Sequence, residues 1–247
     1  MILLKETIGN LTDPSRFSLT KWRVTGVFRA LVEIGLIVVG SVGSVGAEPI
    51  YYYTGSTTSG AAGDTENWQT ADGTPVQNLV IREEGNPVVY RFQSGTYDGS
   101  KASSPVWLAG EEKGVHIVSD GPVTLQNWGG GIPPNQGVVT ALNGEVVFGD
   151  DVSILDNYSS GAATRGGGAV YSGKRIVFGD NARLIHNMTA PPISGAYYGG
   201  GAVFLNGAPD GEVVFGKNAI VEKNEAYYGG AIYALGNVHF GEGAVIR

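Results

Sequence analysis

Val146-Val147-Phe148-Gly149 runs on to Asn157 and then to Gly167-Gly168-Ala169-Val170. The same phrase returns twice. Ile176-Val177-Phe178-Gly179 leads to Asn187 and Gly200-Gly201-Ala202-Val203, and Val213-Val214-Phe215-Gly216 leads to Asn224 and Gly229-Gly230-Ala231-Ile232. In every copy the Phe precedes the Asn by 9 residues, while the Phe-to-Phe intervals are 30, 37 and 25. A constant offset inside a repeat of variable length marks a solenoid whose wall is fixed and whose loops are free. The extra residues fall mostly just before Gly-Gly-Ala, where lengthening a surface loop costs little.

A unit of about 25 residues is too short for a strand–helix–strand crossover, which needs about 30 or more. It suits one coil of a right-handed parallel β-helix with three short strands, here predicted at 146–148, 152–155 and 169–171. These segments are β-branched or aromatic and are bounded by Gly, Asp and Asn. The 40 glycines and the lack of a long amphipathic pattern after residue 50 argue against helices. The expected fold is all-β.

Coils stacked at about 4.8 Å place equivalent residues in ladders along the axis. Phe148, Phe178, Phe215 and Phe240 are expected as an internal aromatic row. Asn157, Asn187 and Asn224 are expected at a bend, where Asn tolerates a left-handed backbone and its amide reaches the neighbouring coil. The pairs Gly167-Gly168, Gly200-Gly201 and Gly229-Gly230 permit tight corners.

Aligning Val118 with Phe215 sets Asn127 opposite Asn224 and reads Gly129-Gly130-Gly131-Ile132 as a worn Gly-Gly-Ala-aliphatic block. The coil series then starts by residue 115, or further back near Val88–Phe92. A fourth copy opens at Val238-His239-Phe240-Gly241 and requires an Asn at position 249, two residues past Arg247. The expectation is a truncated frame or a fragment of a longer protein.

The front end differs in kind. Lys21, Arg23 and Arg29 precede the apolar run 34–45, which exits through Val45-Gly46-Ala47, the arrangement of a secretory signal with a long charged region. The run of 12 residues is short for a spanning helix, which needs about 20. The domain reading is therefore a signal over 1–47, a capping and irregular region over 48–87, and a β-helix over 88–247 that ends in mid-coil. Residues 1–47 hold 5 of the 16 basic and 3 of the 23 acidic side chains, so the remainder carries a formal −9. Such a balance disfavours nucleic acid as a partner. With no cysteine, the exported part relies on burial and strand ladders rather than disulfides.

Candidates for chemistry are few. In the repeat alignment His116 falls opposite Val213, His239 opposite Val214 and His186 opposite Lys223, so the histidines occupy different rows and no metal site is expected. Asp150, Asp151, Asp156 and Asp180 form the best carboxylate group. Paired carboxylates serve glycoside cleavage, which keeps an extracellular polysaccharide lyase or glycosidase open as the alternative. The same residues follow Phe-Gly at a turn, where Asp bonds its own backbone. The next copies carry Lys217 and Glu242 there, so the row does not concentrate acid. Asn157-Tyr158-Ser159 and Asn187-Met188-Thr189 fit the glycosylation triplet, but both Asn residues are ladder positions. Tyr197-Tyr198 and Tyr227-Tyr228 recur before Gly-Gly-Ala and form a candidate aromatic contact strip, with corner cover as the structural alternative.

The segment 224–234, read with Gly-Gly-Ala-[Val/Ile] in three copies and with Asn157, Asn187 and Asn224 each three residues after an aliphatic, resembles the repeats of the chlamydial-type polymorphic outer membrane proteins. The aliphatic (Ile154, Leu184 or Val221) stands where that family has Phe in its Phe-x-x-Asn motif. The resemblance spans 115–247. It implies a signal sequence, a β-helical autotransporter passenger at the cell surface, adhesion to a host-cell protein or glycan, no catalysis and no cofactor. It also implies a C-terminal transmembrane barrel, which these residues do not include, and a passenger that does not itself span the membrane. A structural remnant without a partner is the third reading.

Overall fold

The computed structural model describes residues 50–53, 68–70, 72–75, 80–81, 87–101, 108–110, 112–129, 137–159, 168–189, 199–207, 210–226 and 229–247. All belong to the compact unit formed by 45–247. The predicted signal over 1–47 lies outside the described residues.

The chain winds as a parallel β-helix, and each full coil contributes one strand to each of three sheets. The first sheet has 8 strands, six of them being Val88–Phe92, Gly114–Ser119, Glu145–Phe148, Arg175–Phe178, Glu212–Phe215 and Asn237–Phe240. Ile50–Tyr53 pairs in parallel with Val88–Phe92, and Trp68–Thr70 closes that edge antiparallel. The second sheet has 6 strands, from Gly95–Asp98 through Val152–Leu155 to Val245–Ile246. The third also has 6, from Val80–Ile81 through Val170–Ser172 to Ile232–Ala234. Strands therefore occur upstream of residue 88, within the stretch read as cap. The third strand of the repeat lies one residue later than the sequence suggests. Among the described residues the only helical turn is a single 3-10 turn at Gly99–Lys101.

Alternation decides which side chains enter the core. In Glu145–Phe148 the burial pattern puts Val146 and Phe148 inside and Glu145 and Val147 outside, and the strands 175–178 and 212–215 repeat it. Strand pairing sets Phe148, Phe178, Phe215 and Phe240 in one column. Successive rings stack with centroids 4.9, 4.9 and 5.1 Å apart and planes within 8°. That spacing is the inter-strand repeat, so the ring stack follows from the backbone pairing. The column continues upstream through Ile117 and Tyr90, both buried. There the core changes character: Trp68 meets Tyr90 and Phe92 edge-on at 5.3 and 5.1 Å, and the Trp128 indole donates to the Tyr97 carbonyl.

The upstream coil corrects the alignment made from sequence. Ile117, not Val118, faces Phe148, and Asn127 stands opposite Asp156. Trp128 takes the Asn position, donating its N–H to Asn157 Oδ1 at 2.8 Å. The strand 114–119 and its turn hold two extra residues, so the interval from Ile117 to Trp128 is 11 rather than 9. A slip of one residue exchanges the two faces of a strand. The reading of Gly129–Gly131 as Gly-Gly-Ala fails with it: Val139 pairs with Val170, so the equivalent stretch is Gly137-Val138-Val139.

Candidate functional surface

The predicted ladder residues build wall rather than site. Asn157 Nδ2 donates to Asn187 Oδ1 at 2.9 Å and to the Leu125 carbonyl at 3.1 Å. Asn187 Nδ2 donates in turn to Asn224 Oδ1 at 3.0 Å and to the Ile154 carbonyl at 2.9 Å. Each Oδ1 also accepts a backbone N–H from the coil before it. Asn157 and Asn187 are fully buried with both amide groups engaged, which satisfies the demand that buried polar groups be paired. The glycosylation triplets at these two positions are sequestered.

The left-handed corner is not on these Asn residues. It falls one residue earlier, on Asn127, Asp156, His186 and Lys223, with φ of 54 to 56°. The corner turns the following Asn inward, and that is why its amide meets the neighbouring coil. A second left-handed column, missed from sequence, comprises Asp151, Asn181, Asn218 and Gly243, each three residues after its Phe.

Backbone contact between coils explains the glycines. A Cβ on Gly168 would lie 1.9 Å from the Gly201 carbonyl oxygen, and one on Gly179 would lie 2.3 Å from Asp150 Oδ1. Gly167 and the tyrosines Tyr197, Tyr198, Tyr227 and Tyr228 lie outside the described residues. Gly200, Gly201, Gly229 and Gly230 form the corresponding corners of the later coils, with Gly229 and Gly230 at φ of 76 and 50°.

The carboxylates differ from expectation in their partner. Asp150 Oδ1 accepts the N–H of Asp180 at 2.8 Å, and Asp180 Oδ1 accepts the N–H of Lys217 at 2.7 Å. They bind the backbone of the next coil, not their own turn. Asp156 faces His186, with Oδ1 3.4 Å from Nδ1. Asp98 is the described group with the clearest perturbation. Burial raises its pKa, but donation from the Ser100 N–H and hydroxyl and from the Asn127 and Gln126 amides outweighs this and holds it down at about 2.

His116 moves, whereas His239 keeps its expected place opposite Val214. Both share the outward row of Val147, Val177 and Val214, with three coils between them, so His116 stands opposite Val214 rather than Val213. They flank an alternating charge ladder on the first sheet: His116 Nε2 is 3.3 Å from Glu145, Arg175 bridges Glu145 and Glu212, and His239 Nε2 is 3.9 Å from Glu212. Among the described residues no group of three or more His, Cys, Asp or Glu could hold a metal ion.

The outer face of the second sheet carries a shallow open groove of about 380 Å³, lined by Pro122, Asp151, Ser153, Asn181, Arg183, Asn218 and Ile220. Its turn side is the second left-handed column. Asn181 Nδ2 donates to Asp151 Oδ1 at 2.9 Å, and Asn218 Nδ2 donates to Asn181 Oδ1 at 3.2 Å. Its strand side is the outward row Ser153, Arg183 and Ile220. Asp151 is the single carboxylate among the lining residues, so the groove lacks the acid pair of a glycosidase.

Comparison with known proteins finds no matching family model, curated protein or solved structure. Among the described residues no helix is long and apolar enough to cross a membrane.

Proposed function

We propose that this chain is the exported, surface-exposed β-helical passenger of an autotransporter-like protein, acting in adhesion to a host-cell protein or glycan and not in catalysis. The observation that carries the reading is structural economy. The Gly-Gly-Ala-[Val/Ile] and x-x-Asn motifs that suggest the family supply corner and amide columns of the wall, so their repetition specifies a rigid scaffold. The segments between them, such as 190–198 and 160–167, vary in length and composition while the wall repeats. A rod with variable loops suits display on a surface, where loops change contacts without disturbing the scaffold. The apolar run 34–45 with its small-residue exit supplies the export signal in this reading.

The full chain, expressed in a Gram-negative host and probed by fractionation, leader sequencing and adhesion of purified protein to cultured epithelial cells, tests this. Cleavage after Ala47 and saturable binding to cells are expected. Retention in the cytoplasm with an uncleaved leader, or binding no better than an unrelated β-helix, would overturn it.

A further inference from the structure

We infer that the groove on the second sheet is a binding site for neutral saccharides; the inference deepens the adhesin reading by naming a ligand class and a place on the molecule. The groove combines unused hydrogen-bonding groups with fixed geometry. Asp151 spends Oδ1 on Asn181 and keeps its second oxygen, the Asn218 side-chain oxygen lies over Gly243 at an exposed position, and Arg183 is exposed with Ser153 half-exposed. These supply acceptors, a hydroxyl that does both, and a fork of donors, the set that a sugar's vicinal hydroxyls can satisfy. The amide ladder and the left-handed corners hold the three turn residues in place, so little ordering entropy remains to be lost on binding. Pro122 and Ile220 provide small apolar flanks for the C–H faces of a ring.

Charge selects the class. Arg183 is the one cation in the groove, with Asp151 beside it, while nearby Glu222 is already paired with Arg247 at 2.6 Å. One carboxylate and one guanidinium among the lining residues leave no surplus positive field for uronates, sulfated sugars or phosphates, and the whole chain is at −7. A peptide added edge-on is disfavoured because the central strands of this sheet are paired on both sides. The lining spans four coils, from Pro122 to Asn218 and Ile220, about 14 Å along the axis at the inter-strand spacing, long enough for a disaccharide.

The test uses the full chain and saturation-transfer NMR with cellobiose, N,N′-diacetylchitobiose, lactose and maltose, against digalacturonate as the charged control. At least one neutral disaccharide should give a saturable signal, reduced at least fivefold in Ser153→Ala, Arg183→Ala and Asn218→Ala and unchanged in Lys174→Ala, which is away from the groove. Absence of signal from every neutral sugar, preference for digalacturonate, or full signal in all three groove variants would overturn the inference. Circular dichroism confirms that the variants fold. Cell adhesion measured in parallel separates the two readings. Adhesion that persists in the groove variants without any sugar signal overturns the groove and leaves the adhesin standing. Sugar binding without adhesion supports the groove and removes the adhesin.

Discussion

Phe215 and Phe240 are neighbours in one column and stack as closely as Phe148 on Phe178, yet Phe215 is 2 % exposed and Phe240 is 44 %. The same contrast runs through the two coils. Val213 and Val221 are fully buried, whereas Val238 and Ile246, their counterparts in the last coil, are 36 and 47 % exposed. Like residues in identical register thus differ by one condition: whether a coil lies on both sides. Register comes from strand pairing and is present at the edge; the burial that stabilises it is present only in the interior.

The largest consequence follows from removing an interior ring. Phe178→Ala would empty a site bounded by two stacked rings and should destabilise by about 3–5 kcal/mol. Phe240→Ala loses one ring contact and partial burial, and should cost about 1 kcal/mol. Urea denaturation of both variants checks the ratio. Equal losses would mean that the last coil is as firmly held as the middle ones, and the comparison would fail.

The amide column sharpens the same point with polar groups. Asn187→Ala leaves the buried Asn157 Nδ2 without one of its acceptors and deprives the Ile154 carbonyl of its donor. The expected cost is about 2–3 kcal/mol, because unsatisfied buried groups bear their full desolvation penalty. Asn224→Ala, at a half-buried position one coil nearer the edge, should cost less. The two urea midpoints give the comparison directly.

Asp98 predicts an acid-side effect of about 1 kcal/mol near the upstream end, discounted for its partial exposure. Its folded pKa of about 2 lies below the 3.8 usual for an aspartate, so its contribution is fully present above pH 4. It is lost as pH falls through the folded value. Asp98→Asn should therefore cost about 1 kcal/mol at neutral pH, and its difference from the wild type should shrink toward zero as pH falls from about 4 to 2. A thermal-melt series across that range, compared between the wild type and the variant, would expose a wrong assignment if the two profiles stayed parallel.

How far the sequence revealed this depends on which residues anchor a column. Phe148, Phe178 and Phe215 are distinctive, so their register was legible. Upstream, Ile117 and Val118 are both aliphatic and nothing in the string says which faces inward; the slip moved His116 and Asn127 with it. The left-handed corner was attributed to Asn157 because Asn favours it, whereas the fold imposes it on Asp156, His186 and Lys223, of which Lys has no intrinsic preference for it. The groove was hidden for a related reason. Its strand row reads Ser153, Arg183, Ile220, three unlike residues five positions after each Phe, and no motif search unites them. Only stacking the copies makes them neighbours. The turn row Asp151, Asn181, Asn218, Gly243 did carry a signal, since all four residue types are favoured where φ is positive.

The smallest effect belongs to the outer charge ladder, and it tests whether outward columns contribute as inward ones do. Arg175 is 40 % exposed and lies between Glu145 and Glu212. Exposed pairs contribute about 0.2–1 kcal/mol and weaken with salt. Arg175→Ala should accordingly destabilise by no more than about 1 kcal/mol in low salt, and the difference should shrink toward zero as sodium chloride rises to about 1 M, where the screening length is near 3 Å. Phe178→Ala should show no such salt dependence, because its loss is apolar. A salt-insensitive cost at Arg175 would mean that the packing of its aliphatic stem matters more than its charge. The outward face would then stabilise the rod by packing, as the core does.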